Sequence, residues 1–476
     1  MNKKLFCSIF WVAWLLLPSY LLALSCDSSL AKRIDQTLLE SGENLNIGIV
    51  VQNLSDGKIL YSKNADRYFT PASNQKLLLA YAALRYLGSE FSFSTGLFAD
   101  KAKLQDGVLK GDLYLQFSGD PTLGLDDLEG LVKRLPELGI HKLQGNIIID
   151  DSSFDDQAWS PGTAWDDRLF CYGSPMSALI LEHNCIYGQL QPAVAVGLPA
   201  ILQLPSRPQF MNLQSQVLTQ PTQTTPCKLN VVQSETKTYT IKGCIKSDEP
   251  IRKIELAIND PRQNTVAALK YLLQKYQFGG TYTMTFGKLQ PKAKLLAAHG
   301  SQPLPSLLKT MLKDSDNTIA NALFKTLGAR YFHTTGTWQN GAEALAAILT
   351  ETSSLEVSQM RFFDGDGASR YNFLTPRQIL TLLQEIYLDP HSQAIVEALP
   401  IAGIDGTLKE RMKDAELRAK VRAKTGTETG VSALSGYLVN TKGQTLAFSI
   451  MSNGFIGPME NHKALEDRLC QAMIQA

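Results

Sequence analysis

The strongest constraint on this chain is that its two ends carry matching elements, a helix and a strand pair each. Near the N-terminus, apolar periodicity predicts a helix over Ser29 to Glu40. Strands over Leu45 to Leu54 and Lys58 to Ser62 follow, joined by the turn residues Ser55, Asp56 and Gly57. Near the C-terminus, Ser432 to Val439 and Thr445 to Met451 read as another strand pair with Lys442-Gly443 at its turn. An amphipathic helix from His462 to Ile474 comes last. The pattern predicts one antiparallel sheet closed by both termini. The middle differs: from Phe98 to Leu289 short alternating runs dominate, among them Gly111 to Gln116, Asn146 to Ile149, Ala193 to Val196, Lys228 to Val232 and Lys253 to Ile258. Gly119-Asp-Pro121 and a proline-rich stretch from Pro199 to Pro221 punctuate them, and helical periodicity returns at Pro303. The chain reads as a helix-rich α/β (α+β) domain split by a long strand-rich insertion. At 476 residues it exceeds what one hydrophobic core supports, so two or three domains are expected.

Residues 1–25 read as a signal peptide. Lys3 and Lys4 precede an apolar run from Leu5 to Leu24, and Ala23 and Ser25 fall at the −3 and −1 positions before Cys26. An uncleaved anchor is the alternative, against which Pro18 and its polar neighbours interrupt the run. Lipidation at Cys26 is a second alternative, disfavoured by the residue types of Ala23-Leu-Ser-Cys26. A periplasmic location follows, with peripheral association with the inner membrane left open. Beyond Cys7, six cysteines remain, which allow fifteen pairings. Cys227 and Cys244 bracket two alternating runs that suit a bridged hairpin, yet six buried free thiols are an equally open reading. A formal charge of +1 lacks the basic excess of a nucleic-acid binder.

Ser-x-x-Lys occurs five times, starting at Ser29, Ser55, Ser73, Ser234 and Ser306. Only Ser73 follows a Pro-Ala pair at the first turn of a long apolar helix, Leu77 to Leu87, which stops at Gly88. A serine there meets unsatisfied N–H groups and the positive end of the helix dipole, which favour negative charge. Lys76 returns to the same face one turn later, and a desolvated lysine can take the hydroxyl proton. A capping serine followed by a solvated lysine is the bland alternative, and this motif alone does not defeat it. Two further motifs do. Ser315-Asp-Asn317 falls between helical runs at Leu304 to Leu312 and Ile319 to Leu327. Lys424-Thr-Gly426 occurs once, directly before the closing strands, where a lysine, a hydroxyl and a close-lying backbone suit a substrate carboxylate. The three motifs in this order, each on a suitable element, carry the signal.

With these motifs the chain resembles the penicillin-recognising serine enzymes. Within that group it is similar to the class C low-molecular-mass penicillin-binding proteins, the D-alanyl-D-alanine carboxypeptidase/endopeptidases of the penicillin-binding-protein-4 type. Supporting stretches are Ser118-Gly-Asp-Pro-Thr-Leu123, Cys171-Tyr-Gly-Ser-Pro-Met-Ser-Ala-Leu179, Asp364-Gly-Asp-Gly-Ala-Ser-Arg370 with Asn372, Thr375 and Pro376, and Ile404-Asp-Gly-Thr-Leu-Lys-Glu-Arg411. Lys424-Thr-Gly-Thr-Glu-Thr-Gly-Val-Ser-Ala-Leu434 completes the set. Asp366 stands where the family more often has serine, and Glu428 where an apolar residue is usual; both departures could tune specificity, and neither touches a catalytic position.

The resemblance implies the penicillin-recognising fold, a five-stranded antiparallel sheet with flanking helices and a helical subdomain. It also implies two extra domains between the first two motifs. The expected division is 26–95 with 290–476 as the catalytic domain, 96–116 with 171–289 as a second domain, and 117–170 as a third nested within it. Ser73 is then the nucleophile and Lys76 its base. Ser315 and Asn317 relay a proton and hold the acyl amide, while Lys424, Thr425 and Gly426 receive the terminal carboxylate. Backbone N–H groups of Ser73 and Thr427 form the oxyanion hole. Asp166 and Arg370 match positions that grip the free ends of a diaminopimelate side chain. Expected partners are peptidoglycan stem peptides and cross-links and β-lactam antibiotics, with no nucleic acid, no cofactor and no metal.

Rival readings are a serine β-lactamase, for which the insertion is too long, and a catalytically weak penicillin or muropeptide sensor, against which Ser73, Lys76 and Lys424 are all present. No Gly-x-Ser-x-Gly and no His-Glu-x-x-His occurs, and His183 near Cys185 reads as structural.

Overall fold

A computed structural model describes residues 28–476 except 43–44, 207, 209 and 235–237. The predicted signal peptide, its cleavage site and Cys26 lie outside the described residues. The two ends of the chain do meet in one sheet. Strands Asn46–Asn53 and Ile59–Lys63 join Val421–Glu428, Val431–Val439 and Thr445–Asn453 in a five-stranded antiparallel sheet. Within it Ile49 faces Ile450, and Val421–Glu428 forms one edge. Both faces of this sheet are covered, so its strands read as nearly unbroken apolar runs rather than alternating ones. Ile49, Val51, Leu434 and Phe448 pack on Leu30 and Ile34 of the first helix, Ser28–Glu40, and on Leu465 and Leu469 of the last, Met459–Ile474. Val50, Ala433 and Met451 face the opposite way, into a larger core built by helices Gln75–Leu87, Leu304–Lys313, Asn317–Phe332, Trp338–Thr352 and Pro376–Leu388.

The insertion is less purely strand-like than its sequence suggests. Helices Leu125–Glu137 and Pro261–Lys275 interrupt it, the second started by Asp260 accepting from the Gln263 N–H at 2.9 Å with Pro261 at its first position. Ala193 to Val196, predicted as a strand, is a largely exposed turn between Pro192 and Gly197, with Val194 98% exposed, and it belongs to no strand ladder among the described residues. The expected nesting is also redrawn by the pairing. Lys142–Asp150 pairs with Leu113–Gln116 and with Gly279–Phe286 in a seven-stranded sheet that also holds Ser94–Ala99 and Lys294–Gly300. Leu128, Leu131, Ile147 and Ile149 share a core with Leu97, Leu113, Leu269 and Leu272. Residues 117–170 are therefore no separate unit. The segment with its own core is Cys185–Ala257, whose two three-stranded sheets enclose Ile186, Val217, Ile241 and Leu256.

Two disulfides join Cys227 to Cys244 and Cys171 to Cys185, while Cys470 is a buried free thiol. The first spans the hairpin at Cys227 and Cys244 that sequence had suggested. The second had no sequence signal. No helix among the described residues is long and apolar enough to cross a membrane.

Candidate active site

Ser73 sits in a 3-10 turn, Ala72–Asn74, that runs straight into the helix Gln75–Leu87. Ala72 takes φ +46, a conformation that non-glycine residues adopt at a cost of about 1–3 kcal/mol and hold only when neighbours enforce it. The enforcing neighbours are two glycines. A Cβ on Gly367, itself at φ +90, would meet the Ala72 carbonyl oxygen at 1.9 Å. One on Gly426 would lie 2.9 Å from the Pro71 carbonyl oxygen and 3.1 Å from the Ala72 Cβ. Both segments therefore press backbone against the turn that presents the half-buried Ser73 hydroxyl.

Lys76 has no exposed surface and its Nζ binds three acceptors: Ser73 Oγ at 2.8 Å, Asn317 Oδ1 at 2.7 Å and the Asp366 carbonyl at 3.0 Å. Burial holds its ammonium below the ordinary lysine range, against the opposing pull of Asp366, Asp316, Asp364 and Glu428. That places a neutral amine within easier reach at neutral pH than on any surface lysine. Asn317 is the first residue of the helix Asn317–Phe332; Asp316 caps it, accepting from the Ile319 N–H at 2.8 Å, and Asn317 Nδ2 donates to the Tyr172 carbonyl at 2.8 Å. Ser315 adopts φ +60 just before that cap, which turns its hydroxyl toward Lys424 Nζ, 2.8 Å away.

Lys424 lies on the edge strand, is fully buried, and is pushed well below the usual lysine range by burial and by repulsion from Lys76. The first half of that strand is covered on its outer side, where the Ala423 N–H donates to the Pro400 carbonyl and the Val421 carbonyl accepts from Ala402. The second half, Lys424 to Glu428, leaves its outer side toward the Ser73 turn. Thr425 and Thr407 hydroxyls lie 2.8 Å apart there, and Thr427 is exposed beside them.

The structure thus brings Ser73, Lys76, Ser315, Asn317 and Lys424 together as two hydrogen-bonded groups, Ser73–Lys76–Asn317 and Ser315–Lys424, near enough that the two lysines repel one another, with Thr425, Gly426 and Thr427 along the rim. Arg370 lies at the far end of the strand, where Nη1 donates to the Thr429 carbonyl at 3.0 Å and Nη2 lies 3.6 Å from Glu428. Asp166 is exposed in a turn over Asp166–Leu169, and its neighbour Asp167 is the half-buried one, accepting from the Tyr172 hydroxyl at 3.0 Å. Tyr172, Thr407 and Asp167 were missed by sequence reasoning. The first two lie in stretches that carried the resemblance, but their part in the site depends on one carbonyl and one hydroxyl that no spacing rule marks. Asp364 organises the loop behind Lys76: it accepts from the Gly367 N–H at 2.9 Å, the Ser369 N–H at 2.6 Å and Asn372 Nδ2 at 2.8 Å.

Comparison with known proteins agrees with this geometry. The chain is 32% identical over 423 residues to the D-alanyl-D-alanine carboxypeptidase DacB of Haemophilus influenzae, covering 87% of this chain and 86% of that protein. It is 31% identical to a D-alanyl-D-alanine carboxypeptidase of Actinomadura sp., covering 86% of this chain and 78% of the other. The crystal structure of penicillin binding protein 4 from Haemophilus influenzae superposes with a TM-score of 0.84 at 30% identity, covering 93% of this chain and 99% of that one. The same protein complexed with a β-lactam gives a TM-score of 0.79 at 28% identity, with coverage of 93% and 100%. Residues 30–473 match the model of one peptidase family, so the chain that assembles this serine–lysine cluster belongs to the D-Ala-D-Ala carboxypeptidase 3 (S13) family.

Proposed function

We propose that this protein is a periplasmic serine D-alanyl-D-alanine carboxypeptidase and DD-endopeptidase of peptidoglycan, acting through an acyl-enzyme on Ser73. One observation carries the reading: Lys76 Nζ bridges Ser73 Oγ and Asn317 Oδ1 inside a buried site. Ser73 Oγ attacks the carbonyl of the penultimate D-alanine while its proton passes to Lys76. N–H groups of Ser73 and Thr427 receive the oxyanion, a contribution that in such sites is worth about 3–4 kcal/mol per donor. Collapse of the tetrahedral intermediate breaks the C–N bond, and the leaving amine takes a proton delivered through Ser315. Water then hydrolyses the ester. Lys424, Thr425 and Gly426 hold the terminal carboxylate, and Asp166 and Arg370 bind the charged ends of the stem-peptide side chain. A β-lactam follows the first half of this path, its opened ring remaining on Ser73.

The β-lactam complex of the Haemophilus influenzae relative supports the antibiotic as a ligand here. The test is peptide mapping after labelling with a penicillin, together with digestion of purified muropeptides followed by mass detection. Label at Ser73 that is lost in Ser73→Ala, with release of D-alanine or of cross-links, is the expected result. Label that survives Ser73→Ala refutes the assignment, and rapid turnover of penicillin without muropeptide cleavage makes the protein a β-lactamase.

A further inference from the structure

The far end of the edge strand holds a carboxyl where an apolar residue was expected. Glu428 is the last residue of Val421–Glu428, and its side chain is only 15% exposed. Its Oε2 lies 3.6 Å from Arg370 Nη2, while Nη1 of the same guanidinium donates to the Thr429 carbonyl at 3.0 Å. The residues just before the strand's turn thus hold Arg370 from two sides. The other charged and titratable groups that face Glu428 are Asp366 on Arg370's own loop, Asp167 and Tyr172 from the segment that carries the Asn317 contact, and Lys76. Val431, its partner on the adjacent strand, is apolar.

We propose that Glu428 is a specificity-determining residue whose carboxylate competes with a side-chain carboxylate of the substrate for Arg370. The inference rests on the function proposed above, in which Arg370 receives one end of the stem-peptide side chain. An internal carboxylate is already tethered beside the guanidinium and loses no translational freedom on binding it. A substrate carboxylate must therefore displace Glu428 or meet it neutral. Burial is the largest influence on Glu428; Arg370 opposes it, Asp366 and Asp167 reinforce it, and the carboxyl is pushed up to about 8. The sign follows directly. Below that pH Glu428 is mostly neutral and leaves the charge of Arg370 to the substrate. Above it Glu428 ionises, pairs with Arg370 and excludes the second carboxylate. A side chain whose carboxylate is amidated escapes this competition, so the subsite discriminates between the two according to pH.

The test is calorimetric binding of two stem peptides to the Ser73→Ala protein from about pH 6.5 to about 9.5. One peptide carries a free side-chain carboxylate, and the other carries the corresponding amide. The ratio of their Kd values, carboxylate over amide, is expected to rise about tenfold across this range. Glu428→Gln, which is isosteric and neutral, flattens the ratio at its low-pH value. Glu428→Leu does the same and covers the case in which the glutamine variant fails to fold. A ratio flat with pH before any change at Glu428, a rise that survives both substitutions, or no binding of either peptide overturns the inference. Penicillin labelling at Ser73 of the unsubstituted protein reports separately on the function. A protein that labels there but shows a flat ratio loses the role of Glu428 alone.

Discussion

Replacing Lys76 with methionine tests the core of the site, because it keeps the length and apolar stem of the side chain and removes only the amine. Three contacts vanish, to Ser73 Oγ, Asn317 Oδ1 and the Asp366 carbonyl. Loss of the proton acceptor lowers acylation by about 10²–10⁴-fold, a barrier increase of about 2.7–5.5 kcal/mol. The stability effect has two opposing parts. Three acceptors lose their donor, which costs about 1–3 kcal/mol for each that stays buried, while a desolvated charge disappears, which offsets much of that. A near-native unfolding midpoint is thus compatible with a dead site. The assay is a stopped time course with labelled penicillin across pH, with denaturant unfolding as the folding control. In the unsubstituted protein the acylation rate rises with pH as Lys76 loses its proton, at a pH that burial has drawn below the ordinary lysine range. That rise disappears in Lys76→Met. Lys424→Met, by contrast, removes the partner of Ser315 but not the base, so slow acylation persists. The reasoning fails if Lys76→Met keeps more than about a tenth of the rate, or if the two variants, both folded, lose activity equally.

Arg370→Ala is expected to lower hydrolysis of peptides with a charged diaminopimelate side chain about ten- to a hundredfold more than it lowers penicillin acylation, measured side by side in one preparation; equal losses make Arg370 structural. Gly426→Ala forces a methyl against the Pro71 carbonyl oxygen and the Ala72 Cβ, and is expected to slow acylation at least about tenfold with little change in unfolding midpoint. Breaking the Cys171–Cys185 bridge by Cys185→Ser is expected to cost about 3 kcal/mol of stability. It also slows acylation at temperatures where the protein remains folded, since Tyr172, beside Cys171, positions Asn317; an unaltered rate there would separate the bridge from the site.

Much of the catalytic half was legible in the sequence because its signals are local. Ser73 stood out from four other Ser-x-x-Lys serines by the helix that follows it, and the terminal strands are long enough that their limits differ from the observed ones by a residue or two. Legibility failed where partners are distant. The nesting of the insertion depends on Lys142–Asp150 pairing in parallel with strands on either side, which no short-range pattern encodes. The Ala193 to Val196 run alternates like a strand but joins no ladder: its Ala193 N–H goes to the Thr219 hydroxyl instead, and flanking Pro192 and Gly197 turn it outward. Cys171 and Cys185 flank a segment with no hairpin signal, so only the three-dimensional path shows them adjacent. Glu428 stands out in the sequence as a departure that could tune specificity, but its partner does not: Arg370, fifty-eight positions earlier, approaches it only in the folded site.

The closure of one sheet by both ends of the chain also sets an order of assembly. Asn46–Asn53 can form its hairpin with Ile59–Lys63 early, but its other neighbour is Thr445–Asn453, with Ile49 opposite Ile450 about four hundred residues later. Contacts of such separation form slowly, because the intervening chain must lose its freedom before they stabilise anything. The insertion has no such wait: Cys185–Ala257 closes its two small sheets within its own span. When the chain emerges N-terminus first, the insert can mature while the first hairpin still presents an unpaired, apolar edge that invites association with other chains. Because Lys424 lies on a strand of this same sheet, hydrolytic competence is expected to arrive late, once the final strand and helix have docked, and a shortened C-terminus is expected to forfeit it.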